Sequence, residues 1–526
     1  MSSDTESEVQ MDAEIKDTND VNEQALALLL QQQAERRKAL GGGDPKKVLW
    51  KMSIPSMISY MCQGVYVLID SIFISQYSPL QAAATSYPAA IAIYIKQAFS
   101  TSIGLGASGL IAGAIGAKDY VKAEKSIAAV MHASLLVGIL YPIIMLPSLD
   151  RLLPLLGCPK NIMHWAKEYS YITIGGTFLN CTAIAFSNVL RAQGYVKTAA
   201  LSMIAGVIVN CIIDPSMIYG GDLGIEGSSV SILCGNFVTT LICLFPLIGV
   251  GKIKCPIRFR FKYFRKPTLL TFKIFYVGLG AFMGYFSNAI ASSITNNLLT
   301  KTAGWSTASP EQADLLTESI AAPTGNAMLC MFVFFSISQG INSVFIPLAS
   351  FAHSAGMYRR FKVLFKWALI WESSVMLFAG AILTAFAKWI PYIFYSGNAP
   401  IQVQFRKEMT NILYQTMPTR MLVGVTVIAF ASFQAVNMQK TAGFLGAARQ
   451  IICYIPVAYI YAYCFREPIR VVLAYPTSDL LAVILCGTLL IIYRKQLHLT
   501  KEADNTPISS DMAENETQEV AIDISE

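Results

Sequence analysis

The sequence is poor in charge. Charged residues are 14% of its 526 residues, where ordinary soluble domains carry about 25%. It has four histidines, scattered at His132, His164, His353 and His498. The eleven cysteines show neither metal-ligand spacing nor a disulfide framework. Several, such as Cys62, Cys181, Cys211, Cys234 and Cys330, fall inside apolar runs and read as small hydrophobes. There is no P-loop, no paired nucleophile motif and no cleavable signal peptide, since residues 1–20 are polar and acidic. These absences argue against an enzyme, a metal centre and an ATP-driven machine. No cofactor is expected.

Long apolar runs take the place of charge. Hydrophobic residues make up 54% of the chain. A helical span needs about 20 apolar residues, and about twelve runs meet that length. They cover 49–77, 82–114, 124–146, 165–190, 198–219, 227–250, 269–299, 322–352, 363–386, 411–435, 441–464 and 475–493. Continuous runs are helices, because only a helix satisfies its own backbone in lipid, whereas barrel strands would alternate. The fold class is therefore an all-α polytopic membrane protein.

The formal net charge of +7 is not a nucleic-acid footprint. Its basic residues collect in alternate loops, as Lys118, Lys122 and Lys125, as Lys252, Lys254, Arg258, Arg260, Lys262, Arg265 and Lys266, as Arg359, Arg360, Lys362 and Lys366, and as Arg494 and Lys495. Opposite loops are short, or mixed and acidic, with Asp222 and Glu226, or Glu311, Asp314 and Glu318. This asymmetry places both termini in the cytoplasm. The bilayer is the expected partner, at the plasma membrane or an internal, vacuolar-type membrane; nucleic acid is not, and a monomer is expected.

The chain divides by composition. Residues 1–46 form a polar cytoplasmic tail whose stretch 21–40, with Leu26, Leu28, Leu29 and Leu30 followed by Arg36, Arg37 and Lys38, reads as an amphipathic helix. Residues 47–250 hold the first six spans, 251–268 a basic cytoplasmic loop, 269–495 the second six, and 496–526 an acidic disordered tail. Lys197-Thr198-Ala199 opens the fifth span, and Lys440-Thr441-Ala442 opens the fifth of the second half. The second and eighth spans both end in small-residue stretches, Gly104 to Ala117 and Ser336 to Ala355, before a charged loop. Two such landmarks in one order indicate two pseudo-symmetric six-helix lobes around a central cavity, a transporter architecture.

Asp70 and Asp214 lie inside apolar runs of the first half. A charge at membrane depth costs about 2.5–3.5 kcal/mol on insertion scales and marks a partner, a wet cavity or a moving ion. Asn210 and Asp214 are four apart and share a helix face, as do Tyr66 and Asp70. Where those faces meet, burial and a second carboxylate both disfavour the charged form. Such a pair can hold a proton and release it when the site opens to the cytoplasm. It would titrate as a unit. Asp70 is expected to be the main carrier, because backbone groups freed by Pro215 can support Asp214. The alternative is a permanent hydrogen-bonded tie between helices.

Other charges in the spans are possible cavity residues. Lys96 can pair with Asp70, face the cavity, or reach an interface by snorkelling. Glu372 and Arg420 can pair with each other, or Glu372 can supply a second cation-binding acid. Arg449 reads as a structural or gating residue.

These residues resemble a family. Ile54-Pro55 through Asp70-Ser71-Ile72-Phe73-Ile74, Asn188-Val189-Leu190-Arg191-Ala192-Gln193-Gly194, Asn210 to Pro215 and Gly224-Ile225-Glu226-Gly227-Ser228-Ser229 are similar to the multidrug and toxic compound extrusion (MATE) transporters, DinF-type subfamily. Arg449-Gln450 and Ile455-Pro456 match more loosely. The resemblance spans about 47–495 in twelve helices. It implies an antiporter that exports organic compounds, cationic or amphipathic, in exchange for protons by alternating access. It also implies a cation site formed by Asp70, Asn188, Asn210 and Asp214, with Tyr66 one turn before Asp70. Where the family often has threonine, this chain has Ile232, with only Ser229 and Ser231 nearby, which the helix is expected to turn away. That makes sodium the less favoured coupling ion. Phe351-Ala352-His353-Ser354 also departs from the pattern of bacterial relatives. A lipid-linked oligosaccharide or lipid flippase of the same superfamily is the alternative, and would present a strongly cationic cavity.

Overall fold

Asp44 and Pro45 set the start of the first long helix, α1 (Pro45–Tyr77). The Asp44 side chain accepts a hydrogen bond from the Lys46 N–H at 3.0 Å. Pro45 occupies the first turn, where a missing N–H costs nothing. At 1.5 Å per residue, 33 residues extend about 50 Å, longer than the ~30 Å hydrocarbon core. Ser78 ends α1 and caps α2 (Pro79–Ser86), accepting from the Gln81 N–H at 3.4 Å.

The computed structural model describes residues 40–500 except 157, 159, 251–254, 256, 266–267, 303–321, 396, 398, 466–470 and 472. The stretch expected to be amphipathic over 21–40 lies outside the described residues apart from Leu40. So do Lys252, Lys254, Lys266, Glu311, Asp314, Glu318 and the tail from 501.

The expected span 82–114 is not one helix. Pro88 has no N–H to continue α2, and the chain winds as a π-helix over Ala89–Ile95 before α3 (Lys96–Gly116). The N-terminal lobe continues with α4 (Tyr120–Met145), α5 (Leu149–Leu155), α6 (Met163–Gly175), α7 (Thr177–Ala192), α8 (Val196–Pro215) and α9 (Gly224–Ile248). α6 and α7 form one span bent by 49°. α8 passes into a π-helical turn, Ser216–Gly220, directly after Pro215.

A short α10 (Phe261–Phe264) precedes the second lobe. That lobe comprises α11 (Leu270–Val277), α12 (Leu279–Thr302), α13 (Ala322–Ser354), α14 (Tyr358–Ala385), α15 (Ile390–Phe394), α16 (Pro400–Thr416), α17 (Val423–Ala435), α18 (Gln439–Ala448), α19 (Ile455–Phe465) and α20 (Ala474–Ile492). The expected continuous span 411–435 is interrupted at Pro418, where a 3₁₀ turn, Pro418–Leu422, separates α16 from α17. Among the described residues nine helices are long and apolar enough to cross a bilayer, and two bent pairs raise this to eleven. The shorter apolar α17 stands at the tenth position. The architecture is all-helical, in two lobes, with apolar side chains such as Ile143 and Phe378 exposed on its outside.

The lobes meet where α1 and α3 pack on α13. Small residues allow backbones in membranes to touch, and here they do. A Cβ on Gly106 of α3 would sit 2.2 Å from the Ile274 carbonyl oxygen, and one on Gly278 would sit 2.1 Å from that of Ser102. Gly278 also stands at the 59° bend between α11 and α12. On the basic-loop side, Arg260 pairs with Glu124 at 3.1 Å and the His132 ring stacks on Phe264. Buried Arg360 donates to the carbonyls of Leu40, Gly42 and Gly43 at 3.0–3.1 Å, tying the approach to α1 onto α14.

Candidate functional site

Three helices of the N-terminal lobe bring a polar cluster together. α1 supplies Tyr66 and Asp70, one turn apart; α8 supplies Asp214 on its last turn; and α9 supplies Ser228 and Ser231, three residues apart on one face. Ser228 donates to Asp70 Oδ1 at 2.6 Å. Ser231 donates to Asp214 Oδ1 at 2.8 Å and lies 3.1 Å from the Tyr66 hydroxyl. The two carboxyl groups lie within hydrogen-bonding reach of each other. Such a contact requires a proton on one of them. Asp214 is fully buried and, among the described residues, its Oδ2 has no side-chain donor, while Asp70 is partly exposed. Buried Tyr169 of α6 also adjoins Tyr66 and Asp70.

The serines correct the sequence reading. Ser231 was expected to turn away but joins Asp214 to Tyr66, because α9 presents that face to α1 and α8. Ser229 does turn away, bonding the Ile225 carbonyl at 3.1 Å. Nor is Asp70 the less supported acid. Each carboxylate receives one serine hydroxyl, and Ser231 rather than backbone freed by Pro215 reaches Asp214. No sequence signal singled out Ser228, whose role depends on helix rotation.

Asn188 and Asn210 are buried in the same lobe, but neither is hydrogen-bonded to an acid among the described residues. Asn188 donates to the Ile184 carbonyl in its own helix at 2.9 Å, and its Oδ1 is unpartnered. Asn210 lies against Gly235, where a Cβ would come within 1.9 Å of its Oδ1, also unpartnered. Both amides thus aim free acceptors into the lobe interior.

The other charges are placed differently from one another. Lys96 is 7% exposed and donates to the Thr173 carbonyl at 3.3 Å, beside Cys181. It neither pairs with Asp70 nor reaches an interface, because it is buried at the start of α3, which packs on α7. Glu372 is fully buried between α13 and α17, where Ser338 donates to its Oε1 and Gly424 leaves it room. The Arg420 side chain lies outside the described residues, so its pairing with Glu372 does too. The charged residue on the wall of the described cavity is Arg449, paired through Nε to Asp479 of α20 at 3.0 Å. The sequence reading missed Asp479, which sits near the start of an apolar run where an interfacial acid is unremarkable.

A family model described as MatE matches residues 55–216. Multidrug export protein MepA of Staphylococcus haemolyticus (strain JCSC1435) is 20% identical over 79% of this chain and 86% of that protein. The probable multidrug resistance protein YoeA of Bacillus subtilis (strain 168) is 25% identical over 39% of this chain and 45% of that protein. Against YoeA and the Staphylococcus aureus MepA proteins, the chain spans about half of the relative's length (45% and 52%). A solved structure described as the outward-facing conformation of a multidrug resistance MATE family transporter of the MOP superfamily superposes with a TM-score of 0.75 at 24% identity, over 88% of this chain and 99% of that one. A crystal structure of MATE in complex with MaL6 gives a TM-score of 0.75 at 23% identity, with the same coverage.

Proposed function

We propose that this chain is a MATE-family transporter, a proton-driven antiporter exporting amphipathic organic compounds by alternating access. The Asp70–Asp214 pair carries this reading. Two carboxyl groups within bonding reach, flanked by Ser228, Ser231 and Tyr66 inside a membrane lobe, form a site that binds one proton and can give it up. Its place in the N-terminal lobe supports the DinF-type assignment, and the basic loops support cytoplasmic termini.

The lever is electrostatic. With a shared proton, the pair tolerates the close approach of α1 to α8 and α9. Without it, two like charges in a low-dielectric setting repel, pushing α1, which carries Asp70, away from α8 and α9. α1 also packs on α13 of the other lobe, where a Cβ on Gly340 would lie 2.5 Å from Met57 Cα. A shift of α1 is therefore passed to the lobe interface, and proton release on the cytoplasmic side favours the state that loads substrate there. The described cavity wall has one cation, already paired with Asp479. A lipid-phosphate flippase would call for more cations than the described residues place on this wall.

Reconstituted liposomes separate the coupling ions. An imposed pH gradient should drive movement of a fluorescent amphipathic compound, and a sodium gradient at equal pH should not. Sodium-driven movement without a pH gradient would overturn the proton reading.

A further inference from the structure

The coupling site uses no residue of the C-terminal lobe, yet that lobe presents a second built polar site. The π-helical turn Arg449–Tyr454 replaces α-helix after Ala448, a local geometry often found at functional positions. Its first two residues, Arg449 and Gln450, both line a cavity of about 60 Å³ between α3, α12, α13, α17 and α18. Asp479 holds the guanidinium by Nε from behind: its side chain is 1% exposed, against 16% for Arg449. The two terminal Nη groups have no acceptor among the described residues. Gln450 donates to Asn288 Oδ1 at 2.6 Å, which leaves its own Oε1 buried without a partner. Phe335, Phe430 and Tyr285 form the apolar part of the wall, and among the described residues no acid lines it.

We propose that this is a subsite for the carboxylate end of an amphipathic organic compound, anchored by the Arg449 fork, with the aromatic rings against its apolar body. The inference rests on the transport reading above and names the substrate class. A guanidinium fork matches a carboxylate with two parallel N–H···O bonds. The Asp479 carboxylate beside Arg449 lowers the positive charge there, so a singly charged carboxylate leaves less uncompensated charge in the lobe than a doubly charged phosphate. The free Gln450 Oε1 accepts from a hydroxyl or amide N–H next to that carboxylate. Organic cations, expected from the sequence, meet a guanidinium and no acid on this wall. The cavity of about 60 Å³ takes the headgroup end of such a compound. The apolar body enters as the lobes part.

Equilibrium binding to the purified full chain tests this without any gradient. Fluorescence anisotropy would compare pyrenebutyrate, its amide, the corresponding ammonium and the corresponding phosphate. The wild type should bind the carboxylate at least tenfold more tightly than the amide or the ammonium, and more tightly than the phosphate. The double variant Arg449→Gln/Asp479→Asn, which removes both members of the ion pair, should lose that preference while keeping its affinity for the amide. Arg449→Lys, which retains the charge but not the fork, should fall between them, and serves if the double variant does not fold. Equal or tighter binding of the ammonium or the phosphate, or a preference that survives loss of the fork, overturns the assignment. Failure of gradient-driven transport in liposomes would count against the antiport reading alone, since this binding preference is measured separately.

Discussion

Replacing Asp70 with asparagine removes a titratable oxygen and little else. The amide oxygen can still accept from Ser228, which donates to Asp70 Oδ1 at 2.6 Å. The stability change should thus stay within about 1 kcal/mol, the net worth of one hydrogen bond. The effect on coupling should be complete. In the proposed cycle the pair exchanges one proton per turnover, because two carboxyl groups in contact share one proton when loaded. One pH unit across the membrane is about 1.4 kcal/mol per proton. That sustains about a tenfold concentration ratio of an uncharged substrate when the membrane potential is clamped at zero. In Asp70→Asn the ratio should fall to one, while downhill exchange of labelled substrate persists. The assay is steady-state accumulation in liposomes at fixed pH differences, with thermal melting of the same preparations as the folding control. A variant that still holds a tenfold ratio at one pH unit would refute the assignment of Asp70 to the coupling proton.

Ser231→Ala strands Asp214 Oδ1 and the Tyr66 hydroxyl in a buried setting, at a cost of about 1–3 kcal/mol. Its melting temperature should drop clearly more than that of Ser229→Ala, whose hydroxyl only bonds back to its own helix. Gly106→Val drives a side chain into the Ile274 carbonyl, and overpacking of about 1–3 kcal/mol or more should lower the melting temperature. Gly175→Ala, with nothing within 4 Å of the added carbon, is the control. Arg360→Gln removes the donor to the carbonyls of Leu40, Gly42 and Gly43. Limited proteolysis just before α1 should become faster in that variant, with the melting temperature of the helical body nearly unchanged.

Local chemistry accounts for what could be read in advance. Span length and apolar continuity are properties of about 20 consecutive residues. The membrane-helix class and most span positions therefore follow from composition alone. Asp70 and Asp214 were conspicuous because a carboxylate in an apolar run has few reasons to be there. The places where helices break were less legible. Pro88 and Pro418 were visible as prolines, yet proline is tolerated inside α1 at Pro55 and inside α4 at Pro142. Whether the helix continues depends on what surrounds the freed carbonyl.

The tertiary structure decided which polar groups meet. A serine in a membrane helix can serve the lobe interior or bond back to its own backbone, and helix rotation chooses between them. Ser228 and Ser231 were thus indistinguishable from Ser229 until α9 was packed against α1 and α8. Arg449 found its partner 30 residues away, across a contact between α20 and the π-helical turn that no sequence spacing encodes. The sequence by itself determined the solvent of this protein, its helical class, its two-lobed order and the pair of intramembrane acids, because each is written in local hydrophobicity or in short motifs repeated between the halves. Packing determined the serine bridge, the buried place of Lys96 and the cationic fork on the cavity wall, because hydrogen bonds and ion pairs are short-ranged and exist only once distant helices are brought within about 3 Å.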